Sequence, residues 1–211
     1  MHHVMFDIDG TLVQSVKMDE DCFNRAVKRV LNIDVEEDWS TYPHVSDAGI
    51  LGTVTSDLDV PYRQEAQEEV KTEFIRLLQE HLDVQPVREI KGASRFLSEL
   101  RKIEGVTLSI ATGGWYESAL LKLNSAQLDI RDIPLSSSDD HFDRVEIMKL
   151  ARARSGSMPR DRVTYFGDGP WDKEACSRLG YNFVLVGEGL DHHKKISEYT
   201  KISEILEHIG L

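Results

Sequence analysis

Two aspartates, Asp7 and Asp9, follow a short apolar segment near the start of the chain and precede Gly10 and Thr11. Residues two apart along a strand point to the same side, so both carboxylates can serve one site if the backbone opens just past the strand. This geometry suits a nucleophile and its proton donor. Two carboxylates held this close repel each other, which either raises the pKa of one of them or attracts a cation. An Asp-Gly turn that merely ends an edge strand accounts for the same residues. Three later segments favour the chemical interpretation.

A hydroxyl and two glycines end a second apolar segment, residues 108–111, ahead of a predicted helix. The hydroxyl of Thr112 can donate a hydrogen bond, and the amides of Gly113 and Gly114 near a helix N-terminus favour a phosphate oxygen. A glycine turn with a threonine cap is the simpler alternative. This segment alone is therefore a weak indication of a phosphate site.

A third apolar segment, residues 163–167, leads into Asp168 and, four residues later, Asp172. Mg²⁺ is usually held by one or two carboxylates, with water and substrate phosphate in the other positions. Asp168 is the expected ligand. Asp172 lies one helical turn further along and either reaches the metal through water or orients a cation. A plain Gly-Asp-Gly-Pro turn with Asp172 as a helix cap is the alternative.

One cation is expected to balance these acids, and the sequence offers two candidates. Arg144 begins the helix before the 163–167 segment, from which it could pair with the acids and a bound phosphate. Lys149 lies beside the apolar stripe of Ile147, Leu150 and Ala151, on a face expected to be solvated. Order and spacing favour Arg144, although an arginine at a helix start is more often solvated.

The predicted elements bring these residues to one edge of a sheet. Beyond residue 87, predicted helices alternate with strands, as a parallel α/β sheet requires, and ligands bind at the carboxyl ends of such strands. Residues 14–87 show helical periodicity without strand-like alternation, which predicts a helical insertion after the first strand. The predicted strands are 106–111, 133–135, 163–167 and 182–186, and the predicted helices beyond the insertion are 92–103, 115–123, 144–154, 171–179 and 202–209.

The insertion contributes polar and aromatic candidates for substrate contact. Acids at 19–21 lie in the first turn of its first predicted helix, where we expect them to complement the helix dipole. A second long helix is predicted between Pro61 and Pro86. Aromatic residues at helix starts are more often packing anchors than pocket residues. The candidates are Trp39, Tyr42, His44 and Asp47 in the insertion, with Trp115 and Trp171 outside it.

The composition predicts a folded protein that does not bind polyanions. The 211 residues are 40% hydrophobic, which is enough to bury a core. The net charge of −12 argues against nucleic acid or an anionic membrane as a partner. Cys22 and Cys176 lack metal-ligand spacing, and no apolar run has the length of a membrane span or a signal peptide. We therefore expect a reduced, cytoplasmic protein. The pair His2-His3 fits a natural sequence and an added tag equally, and residues 192–195 are expected to form an exposed polar segment.

Taken together, the four segments resemble the haloacid dehalogenase superfamily, whose pattern is Asp-x-Asp-x-Thr, a Thr or Ser, a Lys or Arg, and a Gly-Asp segment with paired acids. The resemblance implies a Rossmann-like parallel sheet flanked by helices, formed by residues 1–13 and 88–211, with residues 14–87 as an inserted all-helical cap domain. Segment 46–51 looks like a cap segment of phosphoglycolate-phosphatase-like members. The matching residues are Asp7, Asp9, Gly10, Thr11, Thr112, Arg144, Asp168 and Asp172.

The resemblance implies a Mg²⁺-dependent phosphatase that acts on a small phosphomonoester. Asp7 is implied as the nucleophile that forms an aspartyl-phosphate, and Asp9 as the acid that protonates the leaving alkoxide and then deprotonates the attacking water. The implied metal ligands are the carboxylate of Asp7, the backbone carbonyl of Asp9 and the carboxylate of Asp168. The implied phosphate-binding residues are Gly10, Thr11, Thr112, Gly113 and Arg144, with Asp172 in support and Asp47 as the cap candidate.

Other functions of the same fold stay open. A sugar phosphomutase shares the core but returns the phosphoryl group to its substrate, so it releases little inorganic phosphate. Haloacid dehalogenases lack an acid at position 9, and phosphonate-cleaving relatives use a cap lysine. The acid at position 9 disfavours both of these activities. Lys17, near the start of the insertion, is then expected to be a solvated residue. A non-catalytic binding module is less expected, because no acid of the pattern is missing.

Overall fold

The computed structural model describes residues 1–211, and its centre is a six-stranded parallel sheet in the order β3-β2-β1-β4-β5-β6. The chain starts in the middle of the sheet, builds one side through β2 and β3, and then crosses to β4 on the other side of β1. The predicted Rossmann-like parallel sheet is thus confirmed, and the order reverses beside β1, where open α/β sheets bind ligands. The strands are β1 (His2–Phe6), β2 (Val106–Ala111), β3 (Leu135–Ser136), β4 (Arg162–Gly167), β5 (Asn182–Val186) and β6 (Lys195–Ile196).

Apolar side chains cover both faces of the sheet. Alternate residues of a strand point to opposite faces, so Val4 and Phe6 of β1 join one apolar cluster and Met5 joins the other. Phe6 stacks on Phe166 with 5.0 Å between ring centroids, which fixes the two central strands against each other. The helices that flank the sheet are α4 (Ala93–Leu100), α5 (Tyr116–Ser125), α6 (Arg144–Arg154), α7 (Pro170–Leu179) and α8 (Ile202–Ile209).

The segment between β1 and α4 is helical, as predicted. It contains α1 (Val16–Leu31), a short 3₁₀ helix (Trp39–Thr41), α2 (Asp47–Val54) and α3 (Val60–Val84). These elements enclose a third apolar cluster around Phe23 and Phe74, which also takes in Trp115 beside α5. Trp115 is 4% exposed and is therefore a packing anchor between the helical segment and the sheet. None of the helices is both long enough and apolar enough to cross a membrane.

Several sequence predictions are corrected by the structure. Residues Lys195–Ile196 form β6, a parallel partner of β5 that was not among the predicted strands, while Lys195 itself is exposed as expected. Pro61 lies in the first turn of α3, where its missing amide N–H costs nothing, instead of before the helix. The sequence predicts Leu150 on the buried face of α6, but it is 37% exposed, and Met148 is buried on that face instead. The third strand is shifted towards the C-terminus and includes Ser136.

His3 lies inside β1 and is the buried titratable group of the sheet with the clearest pH consequence. Its ring hydrogen-bonds to the hydroxyls of Thr107 and Ser109, each at 2.9 Å. Burial, assisted by the charge of Arg152, lowers the pKa of His3 to about 4. A histidine whose folded pKa is depressed resists protonation only in the folded state. Its contribution to stability is therefore complete above pH 6.5 and is lost as the pH falls through 4.

We expect the free energy of unfolding to fall by about 2–3 kcal/mol between pH 7 and pH 3.5 because of His3 alone. Urea denaturation at a series of pH values measures this dependence, and the His3→Gln variant should show a correspondingly flatter curve. His193 is exposed, so the His193→Gln variant is the control and should keep the parental pH dependence. Parallel curves for His3→Gln and the parent protein would contradict the expectation.

Candidate active site

The polar residues singled out at the strand ends meet at one cavity of about 300 Å³. It opens above the carboxyl ends of β1, β2 and β4, and helices α1 and α2 form its opposite wall. Trp39 and Asp47 of the helical segment line it, whereas Tyr42 and His44 line a separate pocket. The predicted site residues outside the helical segment that line the cavity are Asp7, Asp9, Thr112, Gly113, Arg144 and Asp168.

The turn after β1 sets the directions of the two aspartates. The amide of Asp7 still donates to the carbonyl of Phe166 at 2.9 Å, so the sheet ladder continues to this residue. The chain then turns at Gly10, whose φ of +68° is readily adopted only by glycine. A side chain at position 10 would also overlap the carboxylate of Asp168. Gly10 thus lets the acids of β1 and β4 approach each other.

Gly10 and Thr11 themselves do not line the cavity. Thr11 is fully buried and its backbone carbonyl accepts a hydrogen bond from Tyr199 at 3.2 Å. Its own hydroxyl has no partner within the chain. In this structure the two residues support the turn behind Asp9, and of the predicted phosphate-binding residues Thr112, Gly113 and Arg144 line the cavity.

Arg144 lines the cavity, and a network of buried groups holds its side chain there. Asp143 caps α6 by accepting from the amide of Val145 at 2.8 Å, which fixes the helix start that carries Arg144. The guanidinium donates to Asp172 at 2.9 Å and lies 3.7 Å from the carboxylate of Asp7. Tyr165 also donates to Asp172, at 3.2 Å. Asp172 therefore orients Arg144, which is one of the two roles considered for it.

Lys149, the competing cation, is half exposed and pairs with Glu146 one turn earlier on α6. It does not line the cavity. The geometry therefore agrees with the preference for Arg144. Lys17, expected to be solvated, is exposed.

Three carboxylates crowd the floor of the cavity. Oxygens of Asp7, Asp168 and Asp172 lie within 4.8 Å of one another. Burial and the charge of Asp172 raise the pKa of Asp7 to about 7, against the opposing charge of Arg144. Burial and the charges of Asp172 and Asp7 raise the pKa of Asp168 to about 8. The acids on this floor thus exceed the single arginine available to neutralise them.

The donor set of this floor fits a hard divalent cation. One carboxylate oxygen of Asp7 is buried and has no hydrogen-bond partner within the chain. Such an orphaned acceptor is costly unless a cation or a donor from a ligand reaches it. Carboxylate oxygens are the ligands that Mg²⁺ takes in proteins. Asp172 is the least available of the three, because Arg144, Tyr165 and the amide of Gly169 already occupy its oxygens.

Asp9 is held by a residue that the sequence reasoning missed, the buried Lys122 of α5. The ammonium group donates to Asp9 at 2.7 Å and to Asp19 of α1 at 2.6 Å, and the lysine side chain has no exposed surface. Ser15 donates to the other oxygen of Asp9 at 2.5 Å. Burial alone would lower the pKa of Lys122, but the two carboxylates outweigh burial and raise it. Asp9 is therefore fixed from both sides.

The position of Lys122 also corrects the prediction made for Asp19. The sequence predicts Asp19 as a first-turn charge of α1, but in the structure it pairs with a lysine 103 residues further along the chain. A signal for Lys122 was present in the sequence. It follows Ala119 by three residues and precedes Leu123, so it lies on the buried stripe of α5.

The loop before α2 is fastened to the strand ends. Ser46 caps α2 by accepting from the amide of Gly49, and its hydroxyl donates to the carbonyl of Phe142 at 2.7 Å. The amide of Asp47 donates to the carbonyl of Gly113 at 2.8 Å. One carboxylate oxygen of Asp47 accepts from the amide of Trp115 at 2.9 Å. The helical segment and the strand ends therefore form one continuous wall around the cavity.

Comparison with known proteins places this fold among hydrolases. A family model described as haloacid dehalogenase-like hydrolase matches residues 4–186. A hydrolase from Pseudomonas syringae is 22% identical with a TM-score of 0.73, and the match covers 99% of this chain and 90% of that one. CbbY from Rhodobacter sphaeroides, solved in complex with phosphate, is 14% identical with a TM-score of 0.76 and full coverage of both chains. β-Phosphoglucomutase from Clostridium difficile is 13% identical with a TM-score of 0.76, covering 100% of this chain and 97% of that one. At these identities the structural likeness shows the fold alone.

A curated protein, ATP synthase subunit alpha of Salinispora arenicola (strain CNS-205), is 38% identical over 98 residues, or 46% of this chain. The chain spans 17% of the length of that protein. This local match carries no activity over to the chain.

Proposed function

Because the chain belongs to the haloacid dehalogenase-like hydrolase family, we propose that it is a Mg²⁺-dependent phosphatase that hydrolyses a small phosphomonoester through a phosphorylated Asp7. The observation that carries this proposal is the buried carboxylate of Asp7, which has one oxygen without a hydrogen-bond partner and shares the floor of the cavity with Asp168 and Arg144. A carboxylate kept free of hydrogen bonds is available as a nucleophile.

In the first step, an oxygen of Asp7 attacks phosphorus and the bond from phosphorus to the leaving oxygen breaks. Asp9 gives its proton to the departing alkoxide, and an aspartyl-phosphate remains. Arg144 and the hydroxyl of Thr112 balance the negative charge on the phosphoryl oxygens. Thr112 is free to donate, because its oxygen only accepts from the amide of Gly114 at 3.2 Å.

In the second step, water attacks the phosphorus of the aspartyl-phosphate while Asp9 takes up one of its protons. Inorganic phosphate leaves, Asp7 is regenerated and Asp9 is again protonated. Asp9 serves both steps only if its carboxyl group keeps its position. Ser15 and Lys122 supply that constraint.

The residues proposed to hold Mg²⁺ are Asp7 and Asp168 through their carboxylates and Asp9 through its backbone carbonyl, and the bound ion supplies charge neutralisation on the phosphoryl oxygens. Asp172 acts beside them as the residue that orients Arg144. We propose residues 14–87 as the cap domain over a core of residues 1–13 and 88–211. The cap excludes water that is not aimed at phosphorus and contacts the leaving group.

The test of this proposal is a metal-dependent assay of inorganic phosphate release over a panel of phosphorylated metabolites. We expect turnover with Mg²⁺ and loss of turnover with EDTA, restored by adding the metal back. A phosphomutase would convert its substrate with little phosphate release, so the product analysis separates the two enzymes. No turnover of any ester with Mg²⁺ present would refute the proposal and favour a non-catalytic binding module.

The choice between Arg144 and Lys149 gives a matched pair of variants. We expect Arg144→Met to lower kcat/KM by about 100-fold or more, because the cation that neutralises the phosphoryl oxygens is lost. We expect Lys149→Met to stay within about twofold of the parent, because an exposed i,i+3 ion pair contributes little. Steady-state kinetics on any accepted ester measure both, and equal losses in the two variants would contradict the assignment.

A further inference from the structure

The wall of the cavity that faces the leaving group is acidic. Asp19 and Glu20 of α1 and Asp47 of α2 line it, together with the aromatic rings of Phe23 and Trp39. These residues belong to the helical segment and have no part in the proposed chemical steps, and Asp19 shares the ammonium group of Lys122 with Asp9. They are therefore available to select the alcohol part of the ester.

Each of the three acids has one oxygen engaged by the protein. Lys122 donates to Asp19, the indole N–H of Trp39 donates to Glu20 at 2.8 Å, and the amide of Trp115 donates to Asp47. The side chains are thus oriented before any ligand arrives. The second oxygen of Asp47 has no hydrogen-bond partner within the chain, and the residue is 8% exposed. This free oxygen is open to the cavity that Asp47 lines, where a donor group of a ligand can reach it.

The cavity offers no free cation on this side. Arg144 is committed to Asp172, Asp7 and the carbonyl of Val45, at the phosphate end. Lys122 is enclosed behind Asp9 and Asp19 and does not line the cavity. A carboxylate or a second phosphate on the leaving group would therefore meet three acids and find no cation to pair with. An ammonium group there would find counter-charges and aromatic rings, both of which favour a cation.

The geometry points to a substrate whose leaving group is a small amino alcohol: we propose that this enzyme prefers phosphomonoesters with an ammonium group close to the phosphate. The cavity of about 300 Å³ accommodates a phosphate and a short chain. This inference rests on the proposed phosphatase function and adds the class of leaving group to it. Burial and the charge of Asp19 raise the pKa of Asp47, and a bound ammonium group would relieve that unfavourable charge.

A set of size-matched esters tests the preference. Phosphoethanolamine, propyl phosphate and phosphoglycolate carry an ammonium, a neutral and a carboxylate group at the same distance from the ester oxygen. We expect kcat/KM for phosphoethanolamine to exceed that for propyl phosphate by about tenfold and that for phosphoglycolate by about 100-fold, since one well-placed charge pair changes a rate by about an order of magnitude. Equal rates for the three esters, or the highest rate for the neutral or carboxylate ester, would overturn the inference.

p-Nitrophenyl phosphate separates failure of this inference from failure of the proposed function. Its hydrolysis by the parent protein, together with a preference for phosphoglycolate, would remove the inference and keep the phosphatase. If the protein hydrolyses none of the four esters, both this inference and the proposed phosphatase function are overturned.

Two isosteric variants assign the preference to the acidic wall. We expect Asp47→Asn to raise KM for phosphoethanolamine by about tenfold, because the free oxygen of Asp47 loses its charge. The ratio of kcat/KM for phosphoethanolamine to kcat/KM for phosphoglycolate should therefore decrease. Asp21 lies next to Glu20 on α1 but is exposed, so the Asp21→Asn variant should retain the full selectivity. An unchanged ratio of the two esters in Asp47→Asn would assign the selectivity elsewhere and overturn the role given to this wall.

Discussion

Replacing Asp7 with asparagine is expected to abolish phosphate release and, at the same time, to stabilise the metal-free protein. An amide cannot form the acyl phosphate, so kcat should fall by about 10⁴-fold or more. The stability gain comes from the floor of the cavity. Burial and the charge of Asp172 raise the pKa of Asp7 to about 7, so its ionised form is disfavoured in the folded state.

The sign of the pH dependence follows from that shift. An acid with a raised folded pKa does not affect stability below about pH 4, where both states are protonated, and it destabilises increasingly as the pH rises through 7. The stabilisation by Asp7→Asn should therefore be near zero at pH 4 and reach about 2–4 kcal/mol at pH 8. Mg²⁺ should stabilise the parent protein much more than the variant, because the variant lacks one proposed ligand.

Urea denaturation in EDTA and in Mg²⁺, at pH 5 and pH 8, measures these differences beside the activity assay. Asp57 is exposed, and Asp57→Asn serves as the control with parental activity and stability. A variant that loses activity and is also less stable than the parent at pH 8 would point to misfolding instead of a lost nucleophile. Retention of turnover in Asp7→Asn would refute the mechanism.

The acids of the proposed site could be predicted because the carboxyl ends of parallel strands meet at one edge of a sheet. Asp7, Asp9 and Asp168 each follow an apolar segment that reads as a strand, so their meeting point follows from the fold class. Arg144 could be preferred over Lys149 because helical periodicity separates the two faces of α6. In these cases a local pattern determines where the side chain points.

The sequence could not indicate features that depend on contacts between distant segments. Asp19 and Lys122 are 103 residues apart, and although Lys122 lies on the buried stripe of α5, no local pattern indicates that it pairs with Asp19. The two-residue strand β6 has too few residues to show alternation, so its pairing with β5 is visible only in three dimensions. The acidic wall similarly combines residues of two helices that line the same cavity, and Glu20 of α1 and Asp47 of α2 belong to separate local patterns.

Lys122 gives the second large effect, on stability. We expect Lys122→Met to lower the free energy of unfolding by about 3–5 kcal/mol, because removal of the buried ammonium group leaves the partly buried carboxylates of Asp9 and Asp19 without their counter-charge. Activity should fall as well, since Asp9 is then held by Ser15 alone. Lys102→Met is the matched control: Lys102 is 64% exposed and pairs with Glu99 at i,i+3, so the change should cost less than about 0.5 kcal/mol.

The origin of the loss can be assigned with a second substitution. If repulsion between the unpaired acids causes it, Lys122→Met combined with Asp19→Asn should recover about 1–2 kcal/mol relative to Lys122→Met alone, because one buried charge is removed. The double variant also provides a folded protein to measure if the single variant does not fold. A loss caused only by poor packing of methionine would not be recovered by Asp19→Asn. Equal stability of Lys122→Met and Lys102→Met would show that Lys122 does not hold Asp19 of α1 and Asp9 together.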